Sequence, residues 1–292
     1  MKNNIITLIA LVLSISTMAS PVKYKDEDGL CIPSNKLNYD SRNKSLNGLS
    51  EMDYNFILDQ VEAVMGPSIK KILNKNLIIN RLWTEGAVDA HTTRDENDNP
   101  VIVVNGGLAR HPLMTKDGFL LLVCHEIGHH LGGAPKILRG TSGLRGWSSA
   151  EGQADYYATT KCLPQFFQLG MESKDIDYDN DVVDQGLALS KCSDNLCARI
   201  VLSGLAVSQV FASLVKGTPE PSLLLSDPVK VEKTFYKHPN PQCRLDTYLS
   251  GANCDVGRDI SFDLNDPKIG ACVKDQGARP LCWYQEKDFI KN

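Results

Sequence analysis

The order of its sequence patterns assigns this chain to the α+β class: one helix, then strand-forming runs, then mostly helices, without β-α-β alternation. Residues 50–73 place Phe56, Ile57, Val61, Val64 and Met65 at helical spacing after a Ser-x-x-Asp start, with a break expected at Gly66-Pro67. Two runs, NLIINRLWTE (76–85) and NPVIVVNGG (99–107), read as strands of a small antiparallel or mixed sheet. Between them AVDAHTTRDENDN ends in a polar turn. Beyond them the apolar segments are long enough for helices, so the C-terminal half is predicted to be mostly helical.

Residues 113–131 give the strongest helix, with Lys116-Asp117 at its start and Gly132-Gly133 stopping it. APKILRGTSGLRGWSS (134–149) reads as a Gly/Ser-rich loop, and a helix over about 148–161 opens with Ser148 or Ser149 as its cap. Residues 182–217 read as helical segments broken near Cys192 and Cys197. Residues 218–240 are punctuated by proline, and a short helix near 241–250 leads into a loop-rich tail. The organisation expected is therefore a leader (1–19), an extended polar lead-in (20–50), a main domain (51–250) and a cysteine-containing tail (251–292).

The leader rests on MKNNIITLIALVLSISTMAS: a lone Lys2, an apolar stretch from Ile5 to Ile15 and small residues near Ala19. That is the plan of a secretory signal peptide, shorter than the ~20 apolar residues of a membrane span. No later run is expected to span a membrane, so the mature protein is expected to be soluble, in the periplasm or outside the cell. The chain carries a formal charge of −4, and loss of Lys2 with the leader makes it −5. Without a Lys/Arg block, that acidity argues against nucleic acid as a partner. Nine cysteines suit an oxidising compartment. Cys124, inside the apolar helix, is expected to be the odd free thiol. Short spacing suggests Cys192–Cys197, Cys243–Cys254 and Cys272–Cys282, leaving Cys31–Cys162.

The chemistry-bearing motif is His125-Glu126-Ile127-Gly128-His129. Four residues make about one helical turn, so His125 and His129 project from one face and their imidazoles converge. Two neutral imidazoles suit Zn²⁺. Glu126, rotated by ~100°, lies beside the metal and can take a proton from an activated water. This is the arrangement of zinc metalloproteases acting on protein or peptide substrates. A third ligand is needed. The extended form HExxHxxGxxH fails because its last position is Pro135, and His130 points away from His129. A carboxylate remains: in AEGQADYYA (150–158), Glu151 and Asp155 share a helix face. Glu151 completes a His₂Glu set, and Asp155 can accept the free N–H of a ligating imidazole. Ala150, Gly152, Ala154 and Ala158 permit the close helix approach that a shared metal requires.

HEIGH followed by a Glu-x-x-x-Asp helix resembles the gluzincins. More closely it resembles the peptidase domain of the family that contains the HtpX protease and the CAAX prenyl endopeptidase. VIVVNGGLARHP (101–112) is similar to that family's strand and turn before the metal helix, and KHPNPQCRLDTYL (237–249) to its His-Pro and Arg-bearing helix. The resemblance spans residues 76–250 and departs from the family in lacking membrane helices after the leader. It implies a zincin-like fold with one Zn²⁺ and an endopeptidase, while the leader and the cysteines mark this chain as an exported offshoot. It also implies that His238 lies near the open metal position, as oxyanion stabiliser or as plug, and that Arg244 orients substrate or anchors the last helix. An edge strand, AVDAHTT (87–93) or VIVVN (101–105), would hold extended substrate. His91 in the first reads as a polar turn residue. Trp83 and Trp147 line a cleft or pack in the core. The alternatives are a zinc-binding, chaperone-like module with weak or gated proteolysis, and a disulfide-rich secreted protein whose HEIGH is accidental.

Overall fold

The computed structural model describes residues 32, 34–42, 48–139, 144–169, 182–257 and 259–289. The expected leader and Cys31 lie outside the described residues. Helix α1 (Glu51–Leu73) starts at a reciprocal Ser50/Asp53 capping box and buries Tyr54, Leu58, Val61, Met65 and Ile69. The expected break at Gly66-Pro67 does not occur. Pro67 lies on the exposed side, and burial of Met65 and Ile69 on the opposite side carries the helix through it.

Three strands, not two, form the main sheet: β1 (Ile78–Leu82), β2 (Ala90–Arg94) and β3 (Pro100–Asn105), in the order β1-β3-β2. β3 runs parallel to β1 and antiparallel to β2. Its near-continuous apolar run (Val101, Ile102, Val103, Val104) is that of a strand flanked on both sides, so VIVVN is central and not an edge. His91 is therefore a strand residue, opposite Val103. The edge is β2. After a single turn, α2 (Gly106–Ala109), comes α3 (Lys116–Leu131), capped by Thr115, whose hydroxyl accepts from Gly118 N at 3.0 Å.

The segment expected to be a loop after α3 is a hairpin, β4 (Lys136–Arg139) and β5 (Leu144–Ser149). Its Gly and Ser content hid the pairing. Ser148 and Ser149 belong to β5, and α4 (Glu151–Tyr157) begins after Ala150 with no side-chain cap. The serines are engaged elsewhere: Ser149 Oγ donates to Gly133 O at 2.8 Å. α4 runs into a π-helical turn (Ala158–Cys162) and α5 (Leu163–Gln168). Then follow α6 (Val182–Ser190), α7 (Asn195–Leu214), capped by Asp194, and α8 (Pro241–Ala252), capped by Asn240. The chain is thus α+β, with a small mixed sheet. Contrary to expectation, α7 has the length and apolarity of a membrane span. However, 72% of its most apolar window is buried, as in a core helix packed against α3, α6 and α8.

Among the described residues four disulfides form: Cys124–Cys162, Cys192–Cys197, Cys243–Cys282 and Cys254–Cys272. Only Cys192–Cys197 matches the expected pairing. Cys124 is not free, and its bond to Cys162 rules out Cys31–Cys162. Cys243 lies in the first turn of α8 and Cys254 just beyond its end, about 16 Å apart at ~1.5 Å per residue and far beyond disulfide reach. Cys243 instead ties α8 to the tail through Cys282, and Cys254, just past α8, bonds to Cys272. The tail also inserts the fully buried Trp283, whose Nε1 donates to Thr247 Oγ1 at 3.0 Å.

Two glycines set how closely α4 packs. A Cβ on Gly128 would lie 2.7 Å from Ala154 O and 2.9 Å from Ala154 Cα; one on Gly152 would lie 2.3 Å from the Trp283 ring. The clash at Gly128 is with backbone, so only separation of α3 from α4 relieves it. Gly128→Ala should therefore lower stability by about 1–3 kcal/mol in urea unfolding. An unchanged midpoint would show that the two helices do not need this contact.

Candidate metal centre

α3 presents His125 and His129 on one face, their rings 4.8 Å apart and perpendicular. α4, drawn close by Gly128 and Ala154, brings Glu151 to them. Its Oε2 lies 3.3 Å from His125 Nε2 and its Oε1 lies 3.5 Å from His129 Nε2. The three residues are at most 6% exposed, and a ligand atom from each lies within 4.8 Å of the others. His125, His129 and Glu151 thus form a group able to hold a metal ion. A second grouping, Asp227 with Cys243 and Cys282, is not equivalent, because both cysteines are in a disulfide.

The hydrogen bonds select the atoms that face inward. His129 Nδ1 donates to the Ser149 carbonyl at 2.9 Å, with Ser148 Oγ at 3.1 Å. His125 Nδ1 donates to Asp155 Oδ1 at 2.7 Å. With both Nδ1 atoms acting as donors, the neutral rings turn Nε2 lone pairs toward each other at 3.2 Å, beside a carboxylate. Such a meeting of lone pairs calls for a cation. Burial lowers His129 to about 4, which keeps it neutral. Burial also opposes charge on His125, but Asp155 and Glu151 outweigh it and raise it to about 9. Burial disfavours the Glu151 carboxylate, yet His238, His129 and His125 hold it well below the usual carboxylate range. The donor set therefore fits a divalent cation that takes nitrogen and oxygen ligands.

Asp155 is the anchor behind the site. Its Oδ1 accepts from His125 Nδ1, from Arg244 Nη2 at 2.7 Å and from Tyr248 OH at 2.8 Å. Burial opposes ionisation of Asp155, but Arg244 and His125 keep its carboxyl below the ordinary value. Arg244 is 1% exposed and lies over the Phe211 ring at 4.0 Å. Sequence reasoning missed Tyr248, although it sits one helical turn after Arg244 on α8. It also missed the Ser149 carbonyl, which the hairpin aims at His129.

Glu126 is buried on the same turn of α3. His91, on β2, is raised in pKa mainly by Asp89 at 3.1 Å and also by Glu126, so it lies within electrostatic reach of Glu126. His238 Nε2 comes to 3.6 Å from Glu151 Oε2, and Tyr236 O accepts from Glu151 N at 3.4 Å. The segment before α8 therefore borders the site. His130 is not a ligand, nor is it exposed: Nε2 meets Thr92 Oγ1 at 2.5 Å and its ring stacks on Trp147 at 4.6 Å. Trp147 is half-buried beside the centre, whereas Trp83 packs against Tyr54 at 5.2 Å. No protein family, curated protein or solved structure matches the chain.

The shared Asp155 Oδ1 gives a graded expectation for the metal-free protein. Asp155→Asn leaves Arg244 buried without its counter-charge and should cost about 3–5 kcal/mol in denaturant unfolding. Tyr248→Phe removes one hydrogen bond and should cost about 1–2 kcal/mol. Equal losses would contradict the ion pair as the dominant partner.

Proposed function

We propose that this chain is an exported, zinc-dependent endopeptidase of the zincin type, with His125, His129 and Glu151 as metal ligands. The observation that carries the reading is the convergence of two Nε2 lone pairs and one carboxylate at a buried point, each imidazole held from behind by its Nδ1. The resemblance of HEIGH and AEGQADYYA to the gluzincins, and to the HtpX and CAAX prenyl endopeptidase family, supports it. The four disulfides are typical of exported proteins.

When bound, zinc supplies a Lewis acid that polarises a carbonyl and lowers the pKa of water toward about 7. The protein does the rest. Glu126, next to His125, accepts the proton of the attacking water and returns it to the leaving amine. Asp155 fixes the tautomer of His125, and Arg244 and Tyr248 fix Asp155. β2 is an antiparallel edge strand that packs against α3, so an extended peptide can pair with its free side. His238, beside Glu151, donates to the oxygen that gains charge.

A second reading keeps the zinc and makes the chain a binding or chaperone-like module with gated proteolysis. It is favoured by the same His238 contact, since a ligand-competent imidazole 3.6 Å from Glu151 can close the site. His238→Ala separates the two: an oxyanion donor predicts a fall in kcat of on the order of a hundredfold, a plug predicts a rise.

Glu126→Gln should lower peptide hydrolysis by at least about a hundredfold with zinc content retained. Glu151→Ala should lose most of the bound zinc, read by metal analysis of the purified protein. Full cleavage by Glu126→Gln, or full zinc in Glu151→Ala, would remove these residues from their roles.

A further inference from the structure

The chain is acidic overall, but one wall of the site is not. From Ile127 to Ala150 the sequence has no Asp or Glu, while the β4–β5 hairpin brings in Lys136. This hairpin belongs to the metal centre, because Ser149 O holds His129 Nδ1. It is also fastened to the edge strand. The Arg94 guanidinium of β2 lies 4.9 Å over one side of the Trp147 ring system, and His130 of α3 stacks on Trp147 at 4.6 Å. Edge strand, hairpin and metal helix thus meet at Trp147.

Lys136 sits at this meeting point in an unusual state. It is 9% exposed, and its Nζ donates to the Trp147 carbonyl at 2.7 Å. An ammonium has three donors, and among the described residues no carboxylate contacts this one. Burial, with Arg94 adding repulsion, lowers its pKa to about 8. Arg94 Nη1 donates to Asp98 at 2.9 Å, a carboxylate that is 57% exposed, and Arg94 Nε makes no hydrogen bond. A buried ammonium without a counter-ion is costly to a fold, and a structural lysine would be served as well by a neutral side chain. An arriving carboxylate would give Lys136 its counter-ion and could also take the unused Arg94 Nε.

We infer that Lys136 and Arg94, set around Trp147 where β2 meets the hairpin, form a carboxylate-recognising subsite, so that the preferred substrates are peptides carrying a negative charge at one position along the edge strand. The inference deepens the peptidase reading and rests on it for the word substrate. The carboxylate is either an acidic side chain or a free C-terminus, two sources of the same chemistry.

The test uses the zinc-loaded protein and blocked peptides (N-acetylated, C-amidated) that differ only by Glu or Gln at each position in turn, together with the Gln peptides bearing a free C-terminus. The expected result is a kcat/KM ratio of charged to neutral peptide of about tenfold or more at one position. Lys136→Met and Arg94→Gln should each bring that ratio toward one, and Lys136→Arg should restore much of it. Because the ratio is read within each variant, general losses of activity cancel. A preference for internal Glu identifies a side-chain subsite, and a preference confined to the free terminus identifies a C-terminal one; either supports the inference. Cleavage with no charged-to-neutral difference at any position overturns it while leaving the peptidase reading standing. If nothing is cleaved, that reading fails, and binding of the same peptides to Glu126→Gln protein by fluorescence anisotropy decides this one. Selective capture of the charged peptide supports the subsite, and equal binding overturns it.

Discussion

The site depends on a single carboxylate oxygen. Asp155 Oδ1 receives the imidazole of His125, the guanidinium of Arg244 and the hydroxyl of Tyr248, all from side chains withdrawn from water. Each donor belongs to a different need. His125 must present Nε2 forward, Arg244 must find a counter-charge inside the core, and Tyr248 must satisfy its hydroxyl where it packs against Gly204. One anion meets all three. A half-satisfied version of this network would be worse than an apolar core, so the three helices that contribute to it have little freedom to slide.

That constraint explains much of the surrounding architecture. α3 and α4 cross where Gly128 faces Ala154, close enough that no side chain fits between them. Cys124, one residue before the first histidine, is tied to Cys162, at the end of the π-helical turn that extends α4. α8, which supplies Arg244 and Tyr248, is bound to the tail from its start by Cys243–Cys282, and Cys254 just beyond its end is bound to Cys272. Trp283 of that tail covers Gly152 on the other side of α4. The helix carrying Glu151 is thus packed from several directions, as a buried group of like-minded acceptors requires.

How much of this was legible in the sequence follows from how local each relation is. His125, His129, Glu151 and Asp155 are visible because i,i+4 spacing is a property of a helix and needs no partner. Arg244 and His238 were visible only through the resemblance, and the structure brings both to the site. Tyr248 obeys the same spacing as the others, but nothing in α8 alone says which carboxylate it meets. The Ser149 carbonyl has no sequence signal, since any residue would offer one; its aim comes from the hairpin. β2 was obscured by a polar, turn-rich context, and the hairpin by its glycines. For the disulfides, closeness in sequence is not closeness in space: α8 separates Cys243 from Cys254, and the buried Cys124 is bonded, not spare. The basic hairpin was plain in composition, but its meaning required knowing that it lies against the metal helix.

The most direct test of the metal centre is X-ray absorption at the zinc edge of the purified protein. His125 and His129 should give two imidazole nitrogens at about 2.0–2.1 Å and Glu151 with water light oxygen ligands at about 2.0–2.2 Å, with no sulfur. Absence of stoichiometric zinc, or a sulfur shell near about 2.3 Å, would contradict it.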